Sequence, residues 1–291
     1  MQGRRLILPV WLVAMGFGLG ACSSAPTTPN ALSQQSADDI AVQAAGSLTA
    51  SSGGLMLELN AGAGSVPSNG ALRLHPGDPA VRTKHLLPND AAFRLSPGGP
   101  TLRASAASAE TTFSVGSITY TVTRTFYDSG GNELADYGPT ATKLRITATA
   151  NGSISTAYWD ASVGRAGILD VTGIESSSDT LQFDGAGNDT LQCHFLSMDG
   201  THERYFYALG GRSLEAVRLL KDRNANPYPL SGKARWAWAV DRLRTNNRED
   251  VEFHLTALVV VTFNGTADPE IVVDGTYHYH VNLNTGAITR V

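Results

Sequence analysis

The sequence predicts a mainly β protein, an antiparallel β-meander forming a curved sheet or open barrel with an N-terminal helix. Three observations carry this expectation. From Thr111 onward β-branched and aromatic residues dominate and alternate, with Phe113, Val115, Ser117, Thr119, Thr121 and Thr123 in one phase and Ile118, Tyr120 and Val122 in the other; this is the period of a strand. Asn-Gly and Asp-Gly pairs punctuate the runs, and both favour turns that continue strand twist, so successive strands are expected to be hairpin neighbours. Charged residues make up only 16% of the 291 residues while glycines number 30, a balance that disfavours long solvated helices.

In chain order, Arg4 and Arg5 precede an uncharged apolar run, Leu6 to Leu19. As a helix this run would span about 21 Å, short of the ~30 Å hydrocarbon core of a bilayer, so it reads as an export signal and not a membrane span. It ends in Leu19-Gly20-Ala21-Cys22. These four residues resemble the lipobox of bacterial lipoproteins. The resemblance implies cleavage between Ala21 and Cys22, a diacylglycerol on the Cys22 thiol, and a protein held at a membrane by its lipid. Ser23 and Ser24 follow where many enteric members carry an Asp that retains them in the inner membrane, so the outer membrane is the expected location. With Cys22 acylated, Cys193 has no partner for a disulfide and is expected to be a buried thiol, with His194 on the opposite face of its strand.

The chain then divides into a signal peptide at 1–21, the lipidated Cys22 and a polar tether at 22–35, an N-terminal helix with a Gly/Pro/Ala-rich irregular segment at 36–110, and a β-meander domain at 111–291. Ser36 is the expected N-cap, with Asp38 and Asp39 at the positive end of the helix and an end at Ser51-Ser52-Gly53-Gly54. Leu55 to Leu59 reads as either a short strand or more of that helix. Strand candidates after 112–127 are 143–150, 155–161, 167–174, 180–183, 190–197, 203–209, 233–244, 251–263, 270–273, 276–283 and 287–291. Asp128 to Asn132, Asn151-Gly152, Gly185 to Asn188, Met198-Asp199-Gly200, Asn264-Gly265, Asp274-Gly275 and Asn284-Thr285-Gly286 supply the expected turns. Ser213 to Asp222 reads as a second helix or as the extension of a strand. Three pieces, Phe126-Tyr127-Asp128 with Gly131-Asn132, Val261 to Thr266, and Asn282-Leu283 with Thr285-Gly286, are similar to elements of β-rich bacterial lipoproteins, a resemblance that implies no activity.

A formal net charge of −4 creates no basic field, so nucleic acid is not an expected partner. No nucleophile elbow, phosphate loop, dinucleotide fingerprint or zinc-protease motif occurs. A non-enzymatic binding or structural module without a cofactor is therefore the leading expectation, with the membrane and a protein or hydrophobic ligand as partners. Two alternatives stay open. Trp236, Trp238, Tyr277 and Tyr279, with Tyr205, Phe206 and Tyr207, are candidates to line a cavity, in which case the domain would resemble bacterial lipoprotein carriers and hold a lipid or another hydrophobic ligand. His278 and His280 share one face of a strand about 6.6 Å apart and are candidate metal ligands, with His254 or Glu252 as a third. Gly185 to Leu191 matches most of one calcium-binding nonapeptide, and Asp128 to Glu133 is similar, but such sites are shared between successive repeats and a turn is the simpler reading. The lipid anchor has a direct test: Cys22→Ala is expected to abolish labelling of the protein by a radioactive fatty acid in cells.

Overall fold

The computed structural model describes residues 32–49, 54–66, 109–115, 117–155, 159–196, 203–245 and 250–291. The lipobox with Ala21 and Cys22, the tether up to Ala31, the segment 67–108 and the expected turn at Met198 to Gly200 lie outside them. Two helices come first, α1 (Gln34–Leu48) and α2 (Leu55–Ala63). Twelve strands follow: β1 (Ala109–Val115), β2 (Ser117–Asp128), β3 (Glu133–Leu134), β4 (Ala141–Ser155), β5 (Trp159–Thr172), β6 (Thr180–Leu196), β7 (Glu203–Leu220), β8 (Ser231–Thr245), β9 (Asp250–Thr262), β10 (Glu270–Val273), β11 (Tyr277–Val281) and β12 (Ile288–Arg290). They make one antiparallel sheet in sequence order, with β3 paired off the path onto β2 and no pairing of β1 with β12. The expected meander is present and the sheet is open. Among the described residues no helix is long and apolar enough to cross a membrane.

The inner face of the sheet is mostly apolar, in alternation with the outer positions, and is interrupted by the buried Arg124, Arg165, Asp189, Arg204 and Arg212. It carries Ile118, Tyr120 and Val122 from β2, Leu144 and Ile146 from β4, Leu169 and Val171 from β5, Leu191 from β6, Trp236, Trp238 and Val240 from β8, and Val259 and Val261 from β9, all buried. Against it lie the two helices, and they too are buried on every side: Ile40, Ala44, Leu48, Leu55 and Leu59 are at most 1% exposed, and so is Asp39. A surface helix shows one apolar stripe and one wet face; these helices have no wet face, and α1 packs against β9 to β12. Ser33, not Ser36, caps α1: its side chain accepts from the Ser36 amide, and Ser36 is itself buried. Leu55 to Leu59 opens α2, whose Gly62 abuts Phe183 and Ile146 so closely that an added Cβ would lie 2.7 Å from the phenyl ring.

The central strands are longer than the turn chemistry suggested. β4 runs straight through Asn151-Gly152, β7 absorbs Ser213 to Leu220 with no helix, and β6 runs through Gly185 to Asn188. The physical reason in β6 and β5 is a side chain on the next strand. Gly187 and Gly167 pair with each other and Gly187 pairs with Arg212; a Cβ on Gly167 would stand 3.2 Å from the Arg212 guanidinium. These glycines make room inside the sheet and do not turn the chain. Bulges stand at Asp184 and Ala216, where the Ala216 amide bonds the Asp184 carboxylate and Ala216 takes a φ of 48°. The Asp128 and Asp274 turns form as expected: Asp128 accepts from the Gly130 and Asn132 amides, and Asp274 and Gly275 have φ of 47° and 67° between β10 and β11, as a type I′ turn requires.

Gly210 of β7 lies close against the β8 backbone, where an added Cβ would fall 1.9 Å from the Ala237 carbonyl oxygen. Gly210→Ala is therefore expected to cost about 1–3 kcal/mol by forcing the strands apart. Urea unfolding checks this, and an unchanged midpoint would refute the contact.

Candidate functional site

Polar groups gather in two places, one inside the sheet and one on its outer face. Inside, arginines occupy core positions of the strands and meet carboxylates from the helices and from β6. Arg212 on β7 makes a bidentate pair with Glu58 of α2, at 2.7 and 3.1 Å. Asp189 on β6 lies 3.9 Å from Arg212 and 4.0 Å from Arg165 of β5, and accepts from the Trp236 indole at 2.8 Å. Arg204, at the start of β7, faces Asp39 of α1 at 3.3 Å. Burial alone would lower the Arg212 pKa, but the Glu58 and Asp189 carboxylates outweigh it and raise the value above the ordinary arginine range. Near the last strands Asp38 is bonded by Gln34, Tyr279 and Arg290. Burial pushes the Asp38 pKa up, and those three donors together more than reverse the push, so the carboxyl titrates below its usual value. Burial, reinforced by Asp38, raises the Tyr279 phenol.

Chemically, this interior has little to offer a substrate. Glu58, Asp189, Arg165 and Arg212 are each under 10% exposed. Trp236 and Trp238 are 0% and 2% exposed, with ring centroids 6.1 Å apart and Phe206 edge-on to Trp238. Tyr279 is fully buried and Tyr277 half-buried on the same side of β11. The gap between α2 and strands β1, β2 and β4 holds about 10 Å³, enough for a water molecule and not for an acyl chain. Cys193 is buried, with its thiol bonded to Gln43 of α1.

The histidines lie outside. His278 and His280 are exposed on β11 as the alternation predicts, and His278 Nδ1 is 2.8 Å from Glu270. His254 is instead paired with Asp241 at 2.6 Å. Among the described residues no group of three or more His, Cys, Asp or Glu converges on a metal position. The Asp128 carboxylate is held below its usual pKa, chiefly by hydrogen bonds from the Asn132 side chain and amide; its oxygens staple the turn.

The outer face carries the feature that sequence reading missed. Ile168, Tyr205, Tyr207, Leu209 and Leu258 are all between 41% and 49% exposed. Tyr205, Tyr207 and Leu209 are same-face neighbours on β7, and Leu258 stands on β9 beyond the small Ala237 and Ala239 of β8. A shallow groove of about 400 Å³ runs there, lined by Ala237, Ala239, Thr256 and Leu258 and ending at Asp274. The signal was hidden because β7 here is apolar in both phases: Phe206 and Ala208 are buried while Tyr205, Tyr207 and Leu209 face out. Tyr205, Phe206 and Tyr207 therefore do not line a common cavity.

Compared with known protein families, curated proteins and solved structures, the chain matches none.

The buried pairs make a sharp energetic prediction. Arg212→Met strands Glu58 in an apolar interior and should cost about 3–5 kcal/mol, whereas replacing both partners with Met should cost clearly less. A double-mutant cycle in urea, with Glu58→Met as the second single variant, measures this, and a double-variant loss equal to the sum of the two single losses would mean the pair is not coupled.

Proposed function

We propose that this chain is a lipid-anchored protein of the bacterial cell envelope, in the outer membrane by preference, whose β-domain is a non-enzymatic binding module working through its outer face. The observation that carries the reading is a division of labour within one sheet. The inner face meets the protein's own helices, Glu58 of α2 bonding Arg212 and Asp39 of α1 facing Arg204, while the outer face of β5 to β9 leaves five large apolar or aromatic side chains 41–49% exposed. Scattered surface hydrophobes are ordinary, but here Tyr205, Tyr207 and Leu209 hold consecutive outward positions of β7 with Leu258 beyond the small alanines of β8, a grouping of exposed aromatic and apolar side chains that marks a contact site. The flanking alanines and the groove beside them give the patch relief, as recognition requires. The anchor reading rests on the Arg4-Arg5, Leu6 to Leu19 and Leu19 to Cys22 succession.

Occupancy of this face is measurable without knowing the partner. A thiol introduced as Leu258→Cys is expected to react several-fold more slowly with a maleimide in intact envelopes than in the detergent-purified full chain. Thr172→Cys, exposed on β5 away from the patch, should react equally in both. Equal rates at both positions would refute the reading.

A further inference from the structure

Resting on the outer-face reading, we infer that the ligand of this face is a glycan chain, bound along the row that crosses β6 to β9 at Tyr207. Register places Gln192, Tyr207, Asp241 and His254 side by side on four neighbouring strands, with His194 and Tyr205 in the next row. The His194 ring stacks on Tyr205 at 4.7 Å and 18°, and this cross-strand stack holds the Tyr205 side chain in place. Tyr207 is one same-face step away, about 6.8 Å along the strand. Its neighbours across the sheet are an amide on one side and, on the other, a carboxylate in contact with an imidazole.

The chemistry of this row discriminates between ligand classes. A pyranose ring presents an apolar C–H face ringed by hydroxyls, so it needs an aromatic surface under it and donors and acceptors at its rim. Tyr207 and Tyr205 supply exposed rings, and Gln192 offers both donors and an acceptor. Asp241 and His254, with 55% and 69% of their side chains exposed, add an acceptor and a ring nitrogen. A protein interface would instead place its charges at the rim and leave the centre apolar, whereas here a carboxylate and an imidazole stand directly beside the central tyrosine. An anionic lipid surface or a nucleic acid calls for Lys or Arg. Gln192, Tyr207, Asp241, His254 and the next row, Thr190, Leu209, Ala239 and Thr256, include neither.

Titration of the detergent-purified full chain with chitotetraose and cellotetraose, followed by tyrosine fluorescence and calorimetry, tests the inference, with pull-down on purified peptidoglycan sacculi beside it. At least one of the three probes is expected to bind. Tyr207→Ala should weaken binding roughly tenfold or more, the loss of one ring contact and its rim bonds, while Tyr207→Phe keeps most of it and Gln192→Ala loses several-fold. Tyr207 faces outward, so its variants are expected to unfold at the wild-type urea midpoint. No binding to any probe, oligosaccharides tested to about 10 mM, or binding that Tyr207→Ala leaves unchanged, overturns the glycan assignment. If that happens while the Leu258 thiol is still protected in envelopes, the face binds another class of partner, such as a protein. If neither is seen, the outer-face reading falls as well.

Discussion

An open sheet of twelve strands has an apolar inner face that must be covered by something other than its own closure, and here two helices do it. Hydrophobic burial would bring them in but would not choose their register, because it has no direction. The carboxylates do. Asp39 must find Arg204 and Glu58 must find Arg212, and a slip of one residue along either helix would leave charges dry and unpaired. Such pairs add little net stability over a well-packed apolar substitute, but any other docking carries the full desolvation penalty. Helix placement, the glycines opposite Arg212, the indole bond of Trp236 to Asp189 and the filled interior all depend on this pairing.

With the inside committed, the two faces of β7 take on different tasks. Its inner positions alternate bulky Phe206 with Ala208 and Gly210, which lets the neighbouring strands come close. The outer positions hold Tyr205, Tyr207 and Leu209. A strand with apolar residues in both phases is usually sandwiched between two layers. Among the described residues only the inner layer is present.

The meander was legible because alternation and β-branching act over short windows, and strands such as Ser117–Asp128 follow them residue by residue. The long middle strands were not, because Gly185, Gly187 and Asn151-Gly152 look like turn chemistry, whereas within the sheet Gly187 stands opposite Arg212 of β7 and Gly152 lies close against the Ser117 backbone of β2. For the same reason Glu58 in an apolar helix and Asp189 in a glycine-rich run gave no sign of being buried partners. Their arginines lie 154 and 23 residues away in sequence, and a pattern within one element cannot reveal such contacts. His194 facing away from Cys193 was readable, since adjacent strand residues always point apart. That Tyr205 and Tyr207 face water was not, since alternation fixes only which residues share a face and β7 is apolar on both.

The bond from Tyr279 to Asp38 spans 241 residues and that from Arg290 spans 252. On a chain made from its N-terminus, α1 is therefore synthesised long before the strands that hold its first turn exist. Contacts of such separation form late and slowly, and until they do the helices have only part of their enclosure. The strands made before β11 present unpaired edges meanwhile, the state in which proteins of this size are most exposed to aggregation. The domain's assembly is thus closed by its last dozen residues, and the order of synthesis runs opposite to the order in which the first helix is secured.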